Sequence, residues 1–251
     1  MTPPQLERTS ALFLDFDGTL VEIAAAPDLV VVPDSLPDLL FQLHRQLDGA
    51  VAIVSGRPIV ETDRLLAPYR ASSAGEHGVS LRYDDGTLEE LPIGIAVPED
   101  WRLALDEAIQ HWPGVRLEPK PHGVTLHYRL APEHGEAVWR LARALVAADH
   151  PWFRLIPARE AVEIGLRSVS KGHAVERLMA HAPFHGRRPI FVGDDFTDEA
   201  GMSMARSFGG LGLRVADVFG GDPAQVRAWL AQGSERLEGR VPRSAPTGIS
   251  P

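Results

Sequence analysis

Short apolar runs that each end on a polar or acidic residue constrain this chain more than any other feature. Residues 11–15 (Ala-Leu-Phe-Leu-Asp), 50–54 and 189–192 are brief and bounded by polar residues, so they read as buried strands. Between them lie segments of helical spacing. Leu36, Leu39, Leu40, Leu43 and Leu47 mark one helix over 35–47, and 59–66 predicts a second before a short strand at 71–74. Strand-helix-strand alternation of this kind predicts an α/β fold with a parallel sheet and helices on both faces.

The pattern changes after about Pro92. A helix over 98–111 precedes strands at 115–118 and 124–129 around the turn 119–123, and a helix over 132–148 precedes strands at 153–156 and 161–165. That is helix-strand-strand twice, and it predicts an α+β module inserted over 93–164. The first pattern then resumes with a helix at 171–181, a strand at 189–192, a helix at 198–205, a strand at 211–215 and a closing helix at 222–232. Segments 1–92 and 165–233 are thus expected to form one core. Residues 234–251 are polar and rich in proline and glycine, the composition of a poorly ordered tail.

Composition removes several functions. With no cysteine among 251 residues, disulfides, thiolate metal sites and cysteine nucleophiles are excluded. A net charge of −9 without a basic stripe argues against a nucleic-acid partner, because phosphate neutralisation needs clustered cations. No apolar run approaches the ~20 residues of a membrane span, and the first residues lack the plan of a signal peptide, so the expectation is a cytoplasmic protein. Lysine is nearly absent: of 25 basic residues only Lys120 and Lys171 are lysines. Positions that keep lysine under such a bias are candidates for needing an ammonium rather than a planar guanidinium.

Four segments carry candidate chemistry. Asp15 and Asp17 stand two apart after the first strand, where open α/β sheets bind ligands, and two close carboxylates invite a cation. Gly18 and Thr19 come next, and a tight turn there would let backbone N–H groups cradle a phosphate. Ser55-Gly56-Arg57 ends the second strand with a hydroxyl suited to a phosphate oxygen, although Ser-Gly is also a generic turn. Lys171 opens a helix, where a cation opposes the helix dipole unless it faces anions. Asp194, Asp195 and Asp198 lie just after the strand at 189–192 and suit a hard cation such as magnesium, while Asp195 or Thr197 could instead cap the next helix.

Together Asp15-x-Asp17-Gly18-Thr19, Ser55, Lys171 and Gly193-Asp194-Asp195-x-x-Asp198 resemble the four motifs of the haloacid dehalogenase-like phosphatases. The resemblance implies a Rossmann-like, doubly wound parallel sheet core with an inserted α+β cap. It implies Asp15 as the nucleophile and Asp17 as general acid and base. Ser55 and Lys171 would hold the phosphate, and Mg2+ would be bound by Asp15, the Asp17 carbonyl and Asp194, with Asp195 and Asp198 in support. Crowding by other acids is expected to raise the pKa of Asp17 so that it can donate a proton.

Within the insert, Glu118-Pro119-Lys120 and His127-Tyr128-Arg129 resemble the cap signatures of trehalose-6-phosphate phosphatases, as do the Gly75-Glu76-His77-Gly78 stretch and Glu163. By that resemblance Glu118, Lys120 and Glu163 contact sugar hydroxyls, with Arg57, His77, and His127 or Arg129 near the pocket. The stretch 165–170 lacks the proline expected of the family. The implied reaction is magnesium-dependent hydrolysis of trehalose 6-phosphate, a phosphorylated disaccharide, through an aspartyl-phosphate on Asp15. Alternatives are a phosphatase for sucrose phosphate or glucosyl phosphoglycerate, or a phosphosugar mutase. The expected assembly is a monomer or weak homo-oligomer.

Overall fold

A computed structural model of the protein describes residues 2–90, 95–147 and 150–239. Two sheets organise it. In the first, β1 (Ser10–Leu14) is central, flanked by β10 (Arg188–Gly193) and β2 (Val51–Val54), with β11 (Leu211–Arg214) outside β10 and β3 (Ser72–Gly75) outside β2; all these pairings are parallel. Every residue of β1 and β2 is buried, which explains why these strands read as continuous apolar runs rather than as alternating ones. Helices α1 (Ser35–Gln46), α2 (Ile59–Leu65), α5 (Lys171–Met179), α6 (Asp198–Ser207), α7 (Val215–Val218) and α8 (Pro223–Gly239) belong to the same layered unit. Leu36, Leu40 and Leu43 of α1 join Phe13, Phe191 and Leu230 in one apolar core.

The sheet differs from the expected one at an edge. β4 (Ser80–Arg82) and β5 (Leu88–Glu90) extend it beyond β3, and both pair antiparallel. These strands have three residues each, and β5 is largely exposed, so they carry too little apolar pattern to be read from sequence.

The second sheet has the order β6-β7-β9-β8, formed by β6 (Arg116–Pro119), β7 (Val124–His127), β8 (Phe153–Ala158) and β9 (Ala161–Leu166), all antiparallel. Helices α3 (Glu99–Ile109) and α4 (Gly135–Leu145) accompany it, and Leu105, Leu126, Val138, Phe153 and Ile164 share a second core. The helix expected over 132–148 is a 3-10 turn at Pro132–His134 followed by α4, which ends at Leu145.

The expected boundary at 92 and 93 lies outside the described residues, as do residues 240–251 of the expected tail. Residues 234–239 are not tail: α8 runs to Gly239, with Ser234 and Leu237 buried against the core. Polar composition hid this continuation, since only one face of a terminal helix needs to be apolar. No described helix is long and apolar enough to cross a membrane.

Candidate functional site

The strand order reverses at β1, with β10 on one side and β2 on the other. The crevice at such a switch point, at the carboxyl ends of the strands, is where open α/β sheets place ligands. Asp15 follows β1, Ser55 follows β2, Asp194 follows β10, and Lys171 opens α5 beside them. All four line a single cleft that the second sheet closes from above.

Lys171 is the hub. Its buried ammonium donates to Asp15 Oδ1 and Asp198 Oδ1, each at 2.6 Å. Asp15 Oδ2 accepts the Thr19 hydroxyl at 3.0 Å. Asp198 Oδ2 accepts the backbone amides of Asp194 and Asp195, both at 3.0 Å, so Asp198 braces the loop while lying behind the cleft wall. The helix-cap alternative is not met: Thr197 precedes α6 without a side-chain cap bond, and Asp195 Oδ1 takes the amide and the hydroxyl of Thr197, each at 2.7 Å, in the turn before the helix. Ser170, the residue before α5, caps that helix by accepting the His173 amide, which sets where Lys171 emerges without the missing proline.

Charge is out of balance here. Burial, then Asp198, raises the Asp15 carboxyl well above the ordinary range against the pull of Lys171. Burial, then Asp195 and Asp198, pushes Asp194 up to about 7. Burial works against the Lys171 ammonium, but Asp15 and Asp198 outweigh it and hold its pKa above the usual lysine value. Carboxylate oxygens of Asp15, Asp194 and Asp198 lie within 4.8 Å of one another, an oxygen-donor cluster with surplus negative charge that fits a hard divalent cation. Gly18, at φ 80°, makes room for it: a Cβ there would stand 2.2 Å from Asp194 Oδ2.

The Asp17 carboxylate receives Arg57 Nε at 2.6 Å and Nη2 at 2.9 Å. Acid crowding is seen at Asp15 and Asp194, and successive residues of the chain leaving β1 face different neighbours. Arg57 also reaches the Pro27 carbonyl and Glu61 while lining the cleft. Ser55 Oγ accepts the Arg57 amide at 3.1 Å while lining the cleft.

The second sheet contributes the opposite wall. Its strands alternate, so Thr125 and His127 of β7 and Glu163 of β9 face the cleft while Leu126 and Ile164 pack inward. Lys120 Nζ donates to Glu163 Oε2 at 2.5 Å and, across the cleft, to the Gly56 carbonyl at 3.0 Å. Burial opposes the charge on Glu163, but Lys120 and His77 more than offset it and hold the carboxyl below the usual range. Glu118 and His127 pair at 2.6 Å on the same wall. Arg129 lines the cleft and donates to Glu160, to the Arg159 carbonyl and to the Ala24 carbonyl of the first unit, so it also clasps the two walls.

Sequence reasoning missed Thr125, whose hydroxyl donates to Glu163 at 3.2 Å. Its place two residues before His127 on one strand is a signal that period-two alternation offers. The wall formed by Ile23, Ala24, Ala25 and Pro27 was also missed, and small apolar loop residues carry no signal of their own.

This reversed-order α/β sheet, whose strand ends and α5 deliver an acid pair, a hydroxyl, a lysine and a second acid cluster, shares its fold with a solved haloacid dehalogenase-like hydrolase from Bacteroides thetaiotaomicron at a TM-score of 0.51 and 13% identity, over 78% of this chain and 85% of that one. A trehalose-phosphatase family model matches residues 13–225. The chain is 39% identical over 230 residues to a trehalose-6-phosphate phosphatase of Escherichia coli K12, covering 92% of this chain and 84% of that one. It is 38% identical over 231 residues to a probable trehalose-phosphate phosphatase of Sinorhizobium fredii, covering 92% and 86%. The solved C-terminal domain of a Candida albicans trehalose-6-phosphate phosphatase shares the fold at a TM-score of 0.73 and 20% identity, over 92% of this chain and 98% of that one. The chain belongs to the trehalose-phosphatase family and is a phosphoric monoester hydrolase.

Proposed function

We propose that the protein hydrolyses trehalose 6-phosphate to trehalose and phosphate through an aspartyl-phosphate on Asp15, with Mg2+ required. The observation that carries the reading is Lys171 at 2.6 Å from Asp15, beneath a cleft whose far wall bears Lys120 and Glu163. A phosphate dianion approaching Asp15 needs positive charge beside it, which Lys171 supplies. Asp15 and Asp194, with the Asp17 carbonyl, would hold the cation. When bound, it neutralises phosphoryl charge that one lysine cannot.

In the first step an Asp15 oxygen attacks phosphorus and the bond from phosphorus to the sugar oxygen breaks. Asp17 delivers a proton to the departing alkoxide, which requires it to exchange its Arg57 partner for the leaving oxygen. In the second step Asp17 takes a proton from water, the resulting oxygen attacks phosphorus, and the bond to Asp15 breaks to release phosphate. Ser55 would hold a phosphate oxygen. Lys120, Glu163 and Thr125, with the Glu118–His127 pair, present an alternating set of donors and acceptors suited to sugar hydroxyls. The unit carrying β6 to β9 is read as the cap over a core made by the flanking segments.

Phosphate release measured across trehalose, sucrose and glucose phosphates and glucosyl phosphoglycerate, with Mg2+ and with a chelator, tests this directly. Trehalose 6-phosphate should lead, and chelator should abolish turnover. Equal rates across the panel would sink the substrate assignment, and isomerised sugar phosphate without free phosphate would point to a mutase. Asp15→Asn should cost ~10³-fold or more in kcat with the fold intact.

A further inference from the structure

Glu76 and His77 are consecutive non-glycine residues in the left-handed region, at φ 47° and 61°. Side chains resist that conformation, and a turn requiring it is ordinarily filled by glycine. This turn instead sends two side chains to the second sheet. His77 Nε2 lies 3.4 Å from Glu163 Oε2, and Glu76 Oε1 accepts the His122 amide at 3.1 Å. Glu76 is only 5% exposed, so it is not a solvated surface acid.

His122 sits in the turn that joins β6 to β7, closed by the Lys120 amide donating to the Gly123 carbonyl at 3.0 Å. The same turn carries Lys120, whose ammonium bridges Gly56 and Glu163 over the cleft. On its other side the strained turn is pinned to the helix that holds Lys171. A Cβ on Gly78 would stand 3.1 Å from the Ser170 carbonyl and 3.2 Å from the Ala174 side chain. Glu76 therefore connects a base fixed beside Lys171 to the loop that aims Lys120, and nothing in the phosphoryl chemistry uses it.

We propose that Glu76 is a positioning residue for the sugar face of the cleft, fixing the 119–123 turn so that Lys120 is aimed across the cleft toward Gly56 when the two walls meet. The inference rests on reading that wall as the sugar-binding face. Backbone strain held at this point is balanced by a contact across the cleft, in keeping with strained residues gathering where function needs a fixed geometry.

The test compares trehalose 6-phosphate with p-nitrophenyl phosphate, which has no sugar to meet Lys120. Glu76→Gly removes the carboxylate and relieves the strain, so it should keep Tm within about 3 °C of wild type. It should raise KM for trehalose 6-phosphate about fivefold to tenfold, leaving p-nitrophenyl phosphate turnover within about twofold. Glu76→Gln keeps an acceptor for the His122 amide and should restore KM to within about twofold of wild type. Unchanged KM in Glu76→Gly, or an equal loss on both substrates, overturns the positioning role alone. A wild-type enzyme that prefers no sugar phosphate over p-nitrophenyl phosphate overturns the sugar-face reading and this inference with it.

Discussion

Lys171 stands between two buried carboxylates at the same distance, a geometry that a compact ammonium satisfies and a planar guanidinium does not. Lys171→Arg should therefore cost ~10²-fold or more in kcat and lower Tm, as measured by phosphate release and thermal unfolding; near-normal activity would show that only the charge matters. The acids around it make a second prediction. Asp194 titrates at about 7 in the folded protein against an ordinary 3.8, so the native state holds a proton that the unfolded chain has already lost between those values. Stability of the metal-free protein should fall as pH rises through that window. Mg2+ should reverse the trend by binding the ionised cluster. Thermal unfolding between pH 5 and 8, with chelator and with Mg2+, reads both effects. A Tm that climbs with pH in chelator would count against the cluster as described.

At the scale of elements, the site depends on the loop leaving each strand more than on the strand itself. In the loop leaving β1, Gly18 must adopt φ 80° beside the Asp194 carboxylate, so the first and last acid loops are packed together through a hydrogen atom. Gly18→Ala should displace Asp194, weaken the activating effect of Mg2+ at least tenfold in half-maximal concentration, and leave the sheet folded; circular dichroism beside a metal titration would separate the two. Wild-type metal dependence in that variant would show that the loops have more room than the backbone suggests. On the second sheet, alternation placed Thr125, His127 and Glu163 on one face. That face was half legible in advance, because period two says which residues share a face but not which face meets the cleft.

At the scale of the whole molecule, polar contacts that join the two walls include Lys120 to Gly56, Glu163 to His77, Arg129 to Ala24 and Glu76 to His122. Glu163 has its carboxyl held below the usual value of 4.5, so its contribution is present above that pH and is lost as pH falls toward the folded value. The seam between the walls should loosen on acidification before either core unfolds, visible as earlier hydrogen exchange at the 119–123 turn than in β1 at pH 4. Simultaneous exchange at both places would mean that the walls do not separate as units.

From the sequence alone came the alternation of strands and helices, the change of pattern after residue 92, and four motifs, three at strand ends and one at a helix start. These are local signals, carried by periodicity and by residue chemistry at fixed spacing. The two surviving lysines were also legible as functional candidates, and both lie buried in the cleft. Tertiary structure decided what each charge faces. It set Arg57 against Asp17, tied Arg129 to Ala24, gathered acids around Asp15, and brought Glu76 to His122 from 46 residues away. Spacing along a chain says which groups a strand end presents, but a carboxylate's partner is set by distances in space, and those exist only once the two sheets have packed.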